Sequence, residues 1–247
     1  MRSIEKYAMV ILSCDDMEAI HQLRVGFKRL RAFLRLATLD PSAKEKQQVP
    51  LKLKKIYKYA GAVRDLQIYY YNILPFYHKA DSYPNQVLQQ IAVAKYILVK
   101  ALKSFRFRRT TKQLKRKAPY RVSKKTMDRF IQKKSKAIDR SIGTNIRDAR
   151  LHVLKKYLKD VSYNLKTFQA PVQSYFPIAG KVNMSELSKL SDVLNEYLDW
   201  VVGLSFLNTA LSGKLSAHDK VILQGIKRNW ISKKGQVRRR AMTMLHS

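Results

Sequence analysis

The chain has 247 residues, 46% of them hydrophobic, enough for a sizeable buried core in one large domain or two packed halves. Its 50 Lys and Arg stand against 17 Asp and Glu, a formal net charge of +33; a folded chain that tolerates such self-repulsion calls for an anionic partner, whether nucleic acid, anionic lipid or condensed phosphate. One cysteine, Cys14, excludes an intrachain disulfide and a cysteine zinc cage, and fits a reducing cytoplasm.

Glycine and proline are scarce, at eight and seven, and the apolar spacing is helical almost throughout, with no sustained alternation; the class is all-α. A first helix over 2–13 contains the apolar run Tyr7 to Leu12. Flanked by Glu5, Lys6, Asp15 and Asp16, that run reads as a helix end and not as a secretion signal. Cys14-Asp15-Asp16 stops the helix, and an aspartate caps the next one, which runs to Asp40-Pro41. Helices come next over 49–73 and, after the breaks at Pro75 and 81–85, over 85–117 with a strongly basic end; Pro119 closes the first half. The second half holds helices over 123–142, 147–168, 185–211 and 217–243, interrupted by Gly143-Thr144-Asn145 and by a loop with Pro171 and Pro177. No stretch reaches the roughly 18 apolar residues that cross a bilayer, and no segment is a distinct amphipathic anchor, so no membrane role is expected.

Two of these helices carry the same stripe. His21, Arg24, Lys28, Arg31 and Arg35 recur 131 residues later as His152, Lys155, Lys159, Ser162 and Lys166, each set within an arc of about 80° on one helix face. Beside each runs an apolar stripe: Ile20, Leu23, Phe27, Leu30 and Leu34, then Leu151, Leu154, Leu158, Val161 and Leu165. Segments 51–68 and 187–202 pair at a similar offset, Gly61 with Asn195 and Asp65 with Asp199. The chain therefore reads as one unit, 1–247, of two repeats, about 1–120 and 121–247. Facing about a pseudo-two-fold axis, the halves would bring both cationic ridges to one seam.

Catalytic signatures are missing. Gly180-Lys181 lacks the glycine and hydroxyl residue of a phosphate-binding loop, no His-Glu-x-x-His occurs, and the carboxylates are too scattered for a two-metal site. Binding without chemistry, with no cofactor and no metal, is the expectation. Asp65 and Asp199 are read as partners for nearby bases or caps. The runs Lys115 to Lys117, Lys133 to Lys136 and Arg238 to Arg240 are read as solvated faces, and Tyr69 to Tyr71, Trp200 and Trp230 as core or rim aromatics.

The segment His21-Gln22-Leu23-Arg24-Val25-Gly26-Phe27-Lys28-Arg29-Leu30-Arg31, then Gly61-Ala62-Val63-Arg64-Asp65-Leu66, then Leu151-His152 with Lys155 and Lys159, resembles the conserved histidine alpha-helical domain, CHAD, over roughly residues 1–230. The resemblance implies two antiparallel four-helix bundles related by pseudo-two-fold symmetry, with a basic central pore or groove. It also implies a non-catalytic module that binds inorganic polyphosphate, sometimes joined to or encoded beside a triphosphate-tunnel domain. Carried over, the pore residues would be His21, Arg24, Lys28, Arg31, His152, Lys155 and Lys159. Arg64 resembles the arginine of the second-helix motif, and Ser104-Phe105-Arg106-Phe107 a weaker segment of the third helix. Arg35, Lys54 and Lys166 complete the candidate set. Ser162 replaces a usual arginine and Leu198 lies opposite Arg64, so the two sides should be unequal in charge.

Condensed phosphate is a line of charges with no base to read. Cations repeated every helical turn, about 5.4 Å, match it, and arginine forks can take two oxygens at once. A histidine beside phosphate gains a proton more readily, so affinity should rise at mildly acid pH. The expected function is capture of polyphosphate in the cytoplasm, including at polyphosphate granules. The competing readings are a basic helical nucleic-acid-binding protein, which lacks a zinc-finger, helix-turn-helix or aromatic RNA-binding signature, and an accessory subunit that hands polyphosphate or triphosphate to an enzyme.

Overall fold

The computed structural model describes residues 1–13, 17–43, 48–78, 82–119, 121–142, 146–168 and 184–246. Among them it is all-α: α1 (Arg2–Ser13), α2 (Met17–Ala37), α3 (Leu51–Ile73, continued by a 3-10 turn Leu74–Phe76), α4 (Ser82–Lys103), α5 (Phe107–Lys117), α6 (Lys124–Asp139), α7 (Asp148–Phe168), α8 (Met184–Leu211) and α9 (Ala217–His246). The expectations resting on Cys14 to Asp16, Asp81, Gly143 to Asn145, Pro171, Pro177, Gly180 and Lys181 lie outside the described residues. No described helix is long and apolar enough to cross a membrane.

The helix expected over 85–117 is two helices. Phe105 and Phe107 both turn inward, each 8% exposed, with ring centroids 4.6 Å apart and edge to face. Seating two rings two residues apart in one core is incompatible with a continuous helix, where such residues point about 200° apart. The chain breaks at Ser104 to Arg106 and restarts as α5. α2 also stops three residues short of Asp40, whose carboxylate accepts from the Ser42 backbone N–H at 3.0 Å and from Thr126 Oγ1 of α6 at 3.0 Å.

Each apolar stripe becomes core. On α7, Leu151, Leu154, Leu158 and Val161 are fully buried; on α2, Ile20, Leu23, Phe27 and Leu34 are, while Leu30 is only half-buried. Each such burial contributes about 1.5–3 kcal/mol. One cluster joins Ile4 and Ala8 of α1 to α2, the first half of α3, the end of α4 and the Phe105–Phe107 pair. A second joins α6, α7, α8 and the end of α9, with Leu36 of α2. A third, around Tyr69 and Trp230, ties the end of α3 and the start of α4 to the end of α8 and the start of α9. Within the first half α1 packs on α2, α2 on α3 and α3 on α4, with α1 against α4; within the second α6 packs on α7, α7 on α8 and α8 on α9. Between halves, α2 lies against α7 and α3 against α8. Asn164 of α7, 1% exposed, fixes the first of these contacts by donating to the Ala32 carbonyl of α2 at 3.1 Å.

Candidate anion-binding site

The charged edges of α2 and α7 meet because their apolar edges are buried on either side of the α2–α7 contact. They enclose a hollow of about 240 Å³ lined by Arg24, Lys28 and Arg31 from α2, Tyr57 from α3, and His152, Lys155, Lys156, Lys159, Asp160 and Tyr163 from α7. A second hollow of about 240 Å³ shares Arg31 and Tyr57 with the first and adds Phe27, Arg35, Val49 and Lys54.

α3 furnishes a seat for the arginines. The Tyr57 ring lies 5.1 Å from the Arg24 guanidinium carbon and 5.6 Å from that of Arg31, within cation–π range. One turn on, Gly61 leaves room where a Cβ would overlap Arg24 Nη1. A glycine inside a helix costs about 1 kcal/mol relative to alanine, and here the cost keeps a guanidinium in place. Among the described residues Arg31 Nε is buried with no hydrogen-bond partner, an orphaned donor on a residue that borders both hollows.

Cations at turn spacing repel by about 3 kcal/mol per neighbouring pair at an effective dielectric near 20. The counter-charge supplied is small. Among the described residues Asp160, 3% exposed, is the one acid lining the hollow, and it is taken up by Arg35 Nη1 at 2.5 Å and Lys134 Nζ at 3.2 Å. Lys159 reaches the exposed Asp192 at 3.5 Å. Burial pushes Asp65 and Asp199 above the usual carboxylate range, against the pull of Arg24, Lys155 and Lys28. These two aspartates face a small hollow with Tyr69, Asn72 and Gly203, and among the described residues they act on the cations through the field and not through an ion pair.

The protonation states record the excess. Burial, then Arg24, Lys155 and Lys159, bring the Lys28 pKa down from 10.5 to about 8. Burial lowers Lys155 and Lys156 as well. Both histidines sit below their ordinary range, His152 through burial and then Lys155, Lys156 and Arg31, and His21 through burial, with Arg64, Lys28 and Arg24 adding to the shift and Glu18 opposing it. In the seam, then, burial first and neighbouring positive charge second favour release of a proton. An anion placed there reverses it.

Of the residues chosen from sequence, Arg24, Lys28, Arg31, His152, Lys155 and Lys159 line the first hollow, and Arg35 and Lys54 line the second. His21 lies within electrostatic reach of Arg24, Lys28 and Arg64, and Arg64 within reach of Asp65, but neither His21 nor Arg64 belongs to the two linings. Lys166, in the last turn of α7, is exposed and lines neither. Arg106 borders a separate hollow at the start of α5. Tyr57, Lys156, Asp160 and Tyr163 were missed by the sequence reading. Lys156 and Asp160 were within reach of it, since they continue the stripe about 40° and 80° past His152.

Two of the runs read as solvated faces are partly structural. The Lys134 side chain is 15% exposed, bridges to Asp160 and lies 4.4 Å over the Tyr157 ring. Arg238 Nη2 donates to the Ile146 carbonyl at 2.9 Å, and Arg240 pairs with Glu196. In each case the helix turns one cation of the run toward a neighbouring helix or loop that offers an acceptor. Among the described residues, no group of three or more His, Cys, Asp or Glu could hold a metal ion.

The family model described as CHAD domain matches residues 2–208. A solved structure similar to this chain, the crystal structure of the CHAD domain from the plant Ricinus communis, superposes with a TM-score of 0.74 at 18% sequence identity, covering 99% of this chain and 87% of that one. No curated protein sequence matches.

Proposed function

The chain belongs to the CHAD domain family, and from that premise we propose that it binds inorganic polyphosphate in the seam between α2 and α7, without catalysis. One observation carries the reading: seven basic or imidazole side chains from two helices converge on a hollow whose single acid among the described residues, Asp160, is already neutralised by Arg35 and Lys134. A polyanion that enters supplies the charge the site lacks, returns protons to Lys28 and the histidines, and finds the Arg31 Nε, which has no partner among the described residues. Arginine forks held against Tyr57 give direction to the phosphate oxygens, while the lysines of α7 track the polymer as mobile charges. On this reading the protein works in the cytoplasm, including at polyphosphate granules, alone or beside a triphosphate-tunnel or polyphosphate-metabolising enzyme.

Calorimetric titration with long-chain polyphosphate at several salt concentrations tests the proposal. By analogy with single-stranded nucleic acid, about six engaged phosphates give log K falling with log salt at a slope of about −4. Absence of saturable heat at low salt overturns it. Competition separates this ligand from nucleic acid: duplex DNA or RNA at equal phosphate concentration should leave most polyphosphate bound, and complete displacement removes the claim of selectivity.

A further inference from the structure

The outer side of α4 departs from the rest of this cationic molecule. Between Asp65 and Lys95 the sequence holds one lysine and one aspartate, and from Ser82 to Ala94 it holds no charged residue, whereas the whole chain carries +33. The inner side of α4 is core: Tyr83, Val87 and Ile91 enter the third cluster, Leu98 and Leu102 the first. Its outer side is apolar as well, where a solvated helix face would carry charge. Leu88, Ala92, Val93, Tyr96 and Ile97 are all exposed, Val93 at 61% and Tyr96 at 68%, and among the described residues no other helix exposes as many large hydrophobic side chains. Gln86, Gln89 and Gln90, exposed and neutral, complete the face. A contiguous apolar patch with a neutral polar rim marks an interaction surface.

Leu88, Ala92 and Tyr96 form one ridge at i, i+4 and i+8, and Gln89, Val93 and Ile97 form the next, over about 14 Å of helix axis. Ridges of this kind fit the grooves of a like helix crossing at about −50°. Ala92, at the middle of its ridge, has no side chain beyond Cβ and lets a second backbone come close. About a two-fold axis at Ala92, Leu88 of one copy meets Tyr96 of the other. The same antiparallel arrangement carries the two Lys100 side chains to opposite ends, about 20 Å apart, twice the Debye length of about 10 Å at 0.1 M salt.

Charge decides what covers this face. An acidic protein or an anionic membrane is drawn to the basic helices elsewhere; a second copy of the chain, with the same +33, is repelled by them and can approach only where neither copy brings a cation. We propose that α4 is a self-association face, on which two copies of this chain pair antiparallel about a two-fold axis at Ala92. A standard interface takes about 800 Å² from each partner, more than one helix side offers, so the pair is weak and forms at high protein concentration. Pairing puts two seams on one particle, where a single long polyanion can be held at both. That consequence rests on the reading of the seam, while the pairing itself is measured without ligand.

Sedimentation of the full chain over a range of concentrations tests the pairing. In about 1 M salt, where the Debye length is about 3 Å, the mean mass should climb toward twice that of the single chain; in about 0.1 M salt the climb should need more protein, because the like charges are less screened. Val93→Lys/Tyr96→Lys, which changes two exposed side chains and should leave thermal unfolding unchanged, should weaken association at least about tenfold. In a Cys14→Ser background, a short bismaleimide should join Ala92→Cys chains into dimers far faster than Val221→Cys chains, which carry the thiol at an exposed position on α9. A chain that stays single at every concentration in about 1 M salt overturns the proposal, whatever other protein then binds the face. Association that Val93→Lys/Tyr96→Lys leaves undiminished overturns it too, since the contact then lies elsewhere. So does a chain that stays single but is retained on uncharged phosphatidylcholine vesicles until the two lysines are introduced, which assigns the face to a lipid surface.

Discussion

The two walls of the seam carry similar charge by different means. On α2 the cations are mainly arginines, stacked on Tyr57 and slotted over Gly61. On α7 they are lysines, and each of three has an acid nearby: Lys155 feels Asp199, Lys156 feels Asp160, and Lys159 pairs with Asp192. One wall is oriented, the other is mobile and partly neutralised. Equal formal charge therefore does not mean equal contribution to binding.

The largest expected effect comes from the oriented wall. Arg24→Ala/Lys28→Ala should weaken polyphosphate binding by at least about 100-fold, since each lost charge-assisted hydrogen bond is worth about 1.5–3 kcal/mol and two are lost. Lys155→Ala/Lys159→Ala should cost about tenfold, because the carboxylates left behind are half-solvated and the lost cations were already partly spent on them. The comparison pair must be exposed and away from the seam, which excludes Lys134; Lys214→Ala/Lys220→Ala, two exposed residues that line neither hollow, should cost less than about twofold. Equal losses in titration calorimetry across the three pairs would show that total charge governs binding and that the walls do not differ.

Gly61→Ala sharpens the same comparison without touching a charge. The new methyl displaces the Arg24 fork from its seat, so binding should fall about tenfold while helix propensity gains up to about 1 kcal/mol. Affinity and stability should therefore move in opposite directions, measured by titration and by thermal unfolding. Tyr57→Leu, which removes the shared ring, should weaken binding by a smaller factor, and Tyr57→Phe should restore it.

This glycine shows what could be read from the sequence and what could not. The stripe on α2 and its echo on α7 were legible because periodicity fixes which residues share a helix face, and the buried partners Leu151 to Leu165 came from the same rule. The motif around Gly61 was visible as well. Its physical reason, the Arg24 guanidinium, was not, because spacing within one helix says nothing about which side chain of another helix will lie against it. The same limit hid Tyr57 and placed Arg106 in the wrong hollow. The break between α4 and α5 was missed for a different reason: two phenylalanines can override an otherwise helical run only once there is a core for both to enter.

Asp160→Asn tests the neutralised wall from the other side. Removing the carboxylate leaves Arg35 and Lys134 without their shared partner, so stability should fall by roughly 1–2 kcal/mol, less than for a fully enclosed pair because Arg35 is partly solvated. The seam meanwhile becomes more positive, and polyphosphate should bind a few-fold more tightly. A variant that loses both stability and affinity would mean that Asp160 organises the site and does not merely temper its charge.

The smallest effect is a proton. With its pKa brought down to about 8 in the folded protein, Lys28 is largely neutral at about pH 9, whereas an unfolded lysine near 10.5 is charged. Its folded pKa is depressed, so holding it charged costs stability below about pH 8, and that cost is relieved as pH rises toward 10.5. Bound polyanion shifts the balance back, so binding at about pH 9 must take up a proton. Calorimetry in buffers of differing ionisation enthalpy should detect close to one proton per site there, and Lys28→Arg should abolish the uptake while keeping the charge. Near pH 6 the uptake should pass to His152 and His21, which lie below their ordinary range until an anion arrives, so affinity should rise as pH falls through that region. If uptake at about pH 9 persists in Lys28→Arg, the titrating group lies among Lys155 and Lys156 instead, and the two walls share the charge frustration that the stacked arginines would otherwise confine to α2.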